Sequence, residues 1–317
     1  MKTNQIHILY ENADWLPPLI AALEAEEFEP RTVAVCEGII SDVPAPGIYL
    51  NRMSPSSHTR GNRHSVDLTR EMLAWLEGHG ARVVNGSRAF ELEMSKLRQS
   101  MALEKYGILT PRTALAVGVD HLVELARTFD GPFITKHNRG GKGLGIVLFS
   151  SSEELCDHLK AGDFDFGPNG QVIIQQYIQA ARPHITRVEI VGSKMILAMQ
   201  SSTADGFELC PSDVCQINQA KQAQSSPDNC PIDGGAKFSS SPLSPDDPLV
   251  ARYIAMCAGE GIELAGIEFV EDAQGRRYTY DINGTTNYNQ TLGKEIGVDG
   301  MLELARYLRH VVVPQIG

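Results

Sequence analysis

The sequence predicts an α/β protein of two or three lobes, and three observations carry that expectation. Strand-like and helix-like stretches alternate over roughly the first 90 residues. Beyond about residue 130 the pattern turns to closely spaced strands with little helix between them. At 317 residues the chain is also long enough for more than one buried core.

The alternation begins with the apolar strand IHILY (6–10), a helical stretch near 14–27, and strands at TVAVC (32–36) and GIYLNRMS (47–54). DLTREMLAWLEGHG (67–80) predicts an amphipathic helix, because Leu68, Met72, Leu73 and Leu76 share one face and glycines end it. ARVVNG (81–86) completes a pattern that calls for a small α/β lobe. One helical segment, ELEMSKLRQSMALEKYG, then runs to Gly107 and is stopped by Pro111. Strands follow at GPFITKH (131–137), GIVLFS (145–150), QVIIQQYI (171–178), ITRVEIVG (185–192) and KMILAMQ (194–200). A serine-capped helix, SSEELCDHLKAG (151–162), interrupts them. The spacing in VEIVGSKMILA predicts a hairpin across Gly-Ser. From 217 to 246 the chain is polar, rich in Ser, Pro and Gly, and without apolar period, which points to a functional or mobile loop. A helix (248–260), two strands (AGIEFVED and RRYTYDING) and an amphipathic helix near 299–312 complete the pattern.

Composition excludes several classes of function. Hydrophobic content of 42% and charged content of 21% are those of an ordinary globular protein. A net charge of −11, from 39 acids against 28 bases, argues against nucleic-acid binding, which needs a basic surface. No apolar run is long enough for a membrane span, and the short one near Met1 does not suit a secretory signal, so a cytoplasmic protein is expected. The six cysteines form no CxxC pair; Cys210, Cys215 and Cys230 make the only cluster and read as thiols ahead of a metal or redox site.

Three constellations carry chemistry. The first is ITKHNRGGKGLGIV, where Gly140, Gly141, Gly143 and Gly145 surround Lys142 between two apolar strands. It lacks the Ser or Thr of a Walker A loop and the position of a dinucleotide fingerprint. What remains is a glycine hairpin whose backbone N–H groups can approach phosphate, or a mobile surface turn. Lys136 favours the phosphate reading, since a lysine inside the strand PFITKH either reaches solvent or meets an anion. The second constellation places Asp281 and Asn283 on one face of a strand, with Glu268 on the strand before it. Two carboxylates and an amide oxygen are hard ligands suited to Mg²⁺, with phosphate oxygens completing the shell. The bland alternative is a solvated polar sheet face. The third is VIIQQYI (172–178), which reads as core or as a backbone segment facing an adenine edge.

Taken in order, these stretches resemble the ATP-grasp superfamily, and within it the branch of the ribosomal-protein glutamate ligases (RimK-like). The resemblance covers about residues 45–200 and 262–290 and rests on five motifs in the right order. It implies a three-lobed ATP-grasp fold divided at 1–90, 91–180 and 181–317, the last lobe carrying a long loop over 205–245. It implies ATP and Mg²⁺ as cofactors, with Mn²⁺ able to replace the metal. Lys96 and Lys136 would contact phosphates, and Gly140 to Gly145 would cover them. Gln176, Tyr177 and Ile178 would frame adenine, Arg187 would approach the γ-phosphate or acyl phosphate, and Glu268, Asp281 and Asn283 would hold the metal. The chain departs from the branch after Asn283, where GTTNYNQT replaces a small-residue and Pro turn, and around GFELCPSDVCQINQ. Both lie where the branch has its substrates, so glutamate specificity is not carried over.

The expected activity is therefore an ATP-dependent ligase joining a carboxylate to an amine through an acyl phosphate, acting on an amino acid or peptide. Arg52, Arg60, Thr286, Asn287, Tyr288 and Asn289 are the substrate contacts expected, against the bland reading of surface arginines and a polar turn. Two alternatives stay open: a kinase that stops at phosphoryl transfer, and a nucleotide-binding regulatory protein without turnover. No nucleic-acid or membrane partner is expected, and a homo-oligomer is left open.

Overall fold

Three β-sheets organise the residues that the computed structural model describes, 4–141, 143, 145–203 and 238–312. The first is wholly parallel, in the order β2-β1-β3-β4, from β1 (Gln5–Tyr10), β2 (Glu29–Ala34), β3 (Ile48–Arg52) and β4 (Arg82–Val84). Parallel neighbours need crossovers, and α1 (Leu16–Ala25) and α2 (Ser65–Gly78) supply them. Helix α2 buries Val66, Leu73 and Leu76 as its spacing requires, while Leu68 lies off that face. All five residues of β3 are buried, its polar end Asn51–Arg52 included.

The helical segment read as continuous to Gly107 is two helices, α3 (Ser87–Glu93) and α4 (Lys96–Lys105). Ser95 causes the break: it is extended, and its hydroxyl accepts the Arg98 N–H at 3.3 Å as an N-cap. The interruption turns Glu93 and Lys96 toward one region of space.

The second sheet, β5-β8-β6-β7, is antiparallel and comprises β5 (Thr113–Val117), β6 (Phe133–His137), β7 (Val147–Phe149) and β8 (Gln171–Gln176). Helices α5 (Val119–Ala126) and α6 (Ser152–Ala161) cover it over Phe133, Phe149, Leu155 and Ile174. Strand β5 and α5 lie in a stretch that pattern left unassigned. The strand is a half-exposed edge, and the helix buries only Leu122 and Ala126, so neither carries a strong period.

The third sheet runs β11-β10-β9-β12-β13, with β9 (His184–Val191), β10 (Lys194–Ser202), β11 (Phe238–Ser240), β12 (Leu264–Glu271) and β13 (Arg277–Asn283). The expected Gly-Ser hairpin is present, Val191 lying opposite Lys194. One face carries α4 and α7 (Pro248–Glu260), which bury Leu103 and Tyr253 against Val188, Ile190 and Ile267. The opposite side joins the first lobe: Leu304 and Leu308 of α9 (Gly300–Val312) share a core with Leu19, Leu23, Val191 and Leu264. A short helix, α8 (Gln290–Ile296), precedes α9 and was not expected. Strand β11 falls inside the stretch read as loop (205–245), most of which, with Cys210, Cys215 and Cys230, lies outside the described residues. No described helix is long and apolar enough to cross a membrane.

One side chain fastens the first sheet to the third. Asn85, just beyond β4, has a left-handed φ of 53°. Its amide nitrogen donates to the carbonyls of Leu264 and Gly284, both at 2.9 Å. Its oxygen accepts the N–H groups of Glu263 at 2.8 Å and Leu264 at 3.2 Å. Asn85→Ala strands these groups and keeps a conformation that alanine disfavours. Urea denaturation of this variant is expected to show a loss of about 3 kcal/mol or more.

Candidate active site

The three sheets meet at a cleft of about 240 Å³. The third sheet supplies its charged floor. Glu268 on β12 stands directly opposite Asp281 on β13, and Asn283, two residues on, donates to Asp281 Oδ2 at 3.2 Å. The register slips just beyond Glu268, so that Phe269 faces Thr279 and Tyr280 is the extra residue of a bulge. Tyr280 and Asp281 consequently both reach the cleft, and the tyrosine hydroxyl donates to Glu268 Oε2 at 3.2 Å.

Cations answer these acids. Arg187 on β9 is buried, and it donates to Glu189 at 2.7 Å, to Glu268 at 2.8 Å and to the Thr286 hydroxyl at 3.1 Å. Burial opposes its charge, but Glu189 and Glu268 raise its pKa above the ordinary arginine value. Gly266 on β12 makes room, because a Cβ there would overlap the guanidinium. Lys96, first residue of α4, donates to Asp281. Burial pushes the Asp281 carboxyl up, and Lys96 and Lys136 more than offset this, leaving it below its usual value. Glu268 is raised by burial and by the facing Asp281, against the pull of Arg187.

Lys136 has no carboxylate within ion-pairing distance among the described residues. Its ammonium donates to Gln175 Oε1 at 2.9 Å and lies 5.7 Å from the centre of the Tyr280 ring. Burial and the nearby Lys96 lower its pKa to about 8. The side chain does not escape to solvent, so the strand-interior lysine read from sequence is a buried cation, with Asp281 and Glu268 acting on it only through space. Asn138 ties the start of α4, where Lys96 lies, to the end of β6. Directly after β6, its carbonyl accepts the Lys96 N–H at 3.0 Å and its side-chain oxygen accepts the Leu97 N–H at 3.1 Å.

The donor set fits a hard divalent cation. Glu268, Asp281 and Asn283 offer two carboxylates and an amide oxygen on one face, too few for a closed protein cage. No cluster of three His, Cys, Asp or Glu ligands occurs among the described residues. A metal held here would need oxygens from another ligand, as phosphate provides.

The glycine hairpin closes one side of the cleft. Gly140, Gly141 and Gly143 line it; Gly145 does not, and Lys142 lies outside the described residues. The hairpin rests on His137, whose ring a Cβ at Gly145 would approach to 2.8 Å and one at Gly167 to 2.6 Å. Gly141 reaches the first lobe at Ser56. At the other end, Gln176, Tyr177 and Ile178 line the cleft, but the Tyr177 N–H is already bonded to the Pro132 carbonyl at 3.0 Å.

Of the expected substrate contacts, only Asn287 lines the cleft. Arg52 sits behind it, fully buried, donating to the Thr286 carbonyl at 2.7 Å and to Asn287 Oδ1. Thr286 is likewise buried, its hydroxyl shared between Arg187 and Glu189. Arg60 is paired with Glu11 and lies 4.9 Å over the Trp15 ring, so it props the cleft wall. The Tyr288 ring belongs to the core between α9 and the first sheet, and Asn289 caps α8 by accepting the Leu292 N–H. Sequence reading treated this run as a polar turn, whereas buried pairs consume most of its polar groups.

Sequence reasoning also missed Trp15, Ser54, Thr285 and Glu93, which all line the cleft. Glu93 had a signal: it falls on the stripe formed by Ala89 and Phe90 of α3, where an acid is out of place. Its carboxylate accepts the Thr285 N–H at 3.0 Å, and burial raises its pKa to about 7.

Comparison with known proteins finds similar sequences and folds. Residues 94–211 match the family model described as a RimK-like ATP-grasp domain. A probable alpha-L-glutamate ligase of Saccharophagus degradans is 31% identical over 128 residues, which are 40% of this chain and 42% of the relative. The chain thus aligns with less than half the length of that relative. Among solved structures, the D-cycloserine synthetase DcsG superposes with a TM-score of 0.69 at 17% identity, covering 98% of this chain and 100% of the other. The RimK domain ATP-grasp protein of Sphaerobacter thermophilus gives 0.63 at 18% identity over 96% and 98% of the two chains. Three sheets around a cleft of paired charges are in this chain the ATP-grasp fold, within which residues 94–211 are similar to the RimK-like ATP-grasp domain.

Proposed function

We propose that the protein is an ATP- and Mg²⁺-dependent ligase that joins a carboxylate to an amine through an acyl phosphate, acting on an amino acid or short peptide. The observation that carries this reading is the meeting of Lys96, Lys136, Arg187, Glu268, Asp281 and Asn283 in one cleft drawn from two sheets and the helix between them. The relatives' names, a probable glutamate ligase and a D-cycloserine synthetase, agree with it.

In this reading Lys96 and Lys136 take the phosphate oxygens of ATP, and the backbone of Gly140, Gly141 and Gly143 covers them. Gln176 to Ile178 border the adenine. Glu268, Asp281 and Asn283 hold Mg²⁺, which when bound neutralises charge on the transferring phosphoryl group. Arg187, steadied by Glu189 and Thr286, stabilises the acyl phosphate and the oxyanion that forms on amine attack. The chain supplies position and charge, and no covalent enzyme intermediate is required.

The direct test is phosphate release from Mg-ATP across pools of amino acids and dipeptides, with mass spectrometry of active pools. The expected product is one water lighter than two pool members combined. Lys136→Ala is expected to lower turnover roughly 10²-fold or more, as read by the same assay. Because the Lys136 charge is present below pH about 8 and lost above it, ATP affinity is expected to fall as pH rises through that value. Calorimetry would register this as proton uptake on binding, absent in the Ala variant. Asp281→Asn is expected to shift the Mg²⁺ concentration for half-maximal rate upward; a titration matching wild type would remove Asp281 from the metal site.

A further inference from the structure

The ligase reading leaves one chemical need without an assigned residue. An amine arrives at neutral pH mostly as an ammonium ion, and it cannot attack an acyl phosphate until it has lost a proton. Three acids among the described residues line the cleft: Glu93, Glu268 and Asp281. Glu268 pairs with Arg187 and Asp281 with Lys96, and in the ligase reading both hold the metal. Glu93 alone has no ion-pair partner among the described residues.

Its surroundings suit a proton acceptor. One oxygen accepts the Thr285 N–H, and Gly284 lies so close that a Cβ there would come within 2.7 Å of the other. The charged groups that face it are Lys96 at the start of α4 and Arg52 at the end of β3; they act on it through space without forming an ion pair. From α4, Gln99 touches only its main-chain carbonyl, at 3.3 Å. The carboxylate therefore sits between the phosphate-side lysine and the Thr285–Asn287 edge of the cleft, with its charge uncommitted.

We propose that Glu93 takes the proton from the amine that attacks the acyl phosphate. This rests on the ligase reading above. The ammonium nitrogen gives one proton to a Glu93 oxygen, and the freed electron pair forms the C–N bond at the acyl carbon. The C–O bond to phosphate then breaks, with its electron pair leaving on the phosphate. The second nitrogen proton departs with that phosphate, and Glu93 returns its own proton to water. A pKa near 7 matches such a group to neutral pH.

Hydroxylamine separates this role from a structural one, because it is already unprotonated at neutral pH and needs no base to attack. Wild type, Glu93→Gln and Glu93→Asp would be given Mg-ATP and the amino-acid and dipeptide pools, with and without hydroxylamine. Hydroxamate and amide products would both be measured. The expected result is that Glu93→Gln keeps hydroxamate formation near the wild-type rate while amide formation falls about 10²-fold or more. Glu93→Asp should recover part of the amide. Equal loss of both products in Glu93→Gln, or undiminished amide, would overturn the proposal while leaving the ligase reading intact. If Glu93→Gln does not fold, the Asp variant decides: a reduced amide-to-hydroxamate ratio supports the role, and an unchanged ratio removes it. Absence of hydroxamate from wild type with every pool would instead overturn the ligase reading itself, and this proposal with it.

Discussion

Two ion pairs buried across the cleft, Arg187 with Glu268 and Lys96 with Asp281, set the terms for everything around them. Charges out of water are costly unless paired, so each ion holds its partner. On the proposed function both pairs are also exchangeable. A phosphate chain would satisfy the cations, and a divalent cation the acids, so a ligand bringing both could replace each pair without stranding a charge. Sites that bind anion and metal together can be built in this way, with the protein's own ions as stand-ins.

The third sheet is the platform for the acids of both pairs. Strands β9, β12 and β13 bring Arg187, Glu268 and Asp281 to one face through register alone, and the bulge at Tyr280 adds a hydroxyl beside Glu268. Gly266 is needed on the strand between because a side chain there would occupy the space of the guanidinium. Behind Arg187, Glu189 and Thr286 fix its direction, and Thr286 in turn accepts Arg52 from the first sheet. The orientation of one cation is thus transmitted from a strand more than a hundred residues earlier.

What could be read from the sequence follows from this arrangement. Lys136, Glu268 and Asp281 stood out because polar residues inside apolar strands violate a two-residue period, and that violation is visible without a structure, whereas Arg187 was expected only from the family resemblance. Arg52, Arg60 and Tyr288 were misread for the opposite reason. Nothing local distinguishes an arginine committed to a distant partner from one free to meet substrate, and the partners, Glu11 for Arg60 and Asn287 for Arg52, lie 49 and 235 positions away. The break between α3 and α4 was within reach, since Ser95 is an ordinary N-cap residue, but continuous helical composition on both sides concealed it. Edge strand β5 and helix α5 were illegible because their burial is too slight to impose a period.

Asn138 has a consequence of a different kind. By bonding the start of α4 to the end of β6, it ties together the backbones that carry Lys96 and Lys136, whose charges repel. That repulsion is borne during folding, when the whole hydrophobic core can offset it, and not when a ligand arrives. Lys96 gives its charge to Asp281, whereas the Lys136 ammonium hydrogen-bonds to the neutral Gln175, so the cost of keeping the two lysines together falls on Lys136 and shows in its lowered pKa. A backbone tie at Asn138 thus becomes a property of one side chain's acidity.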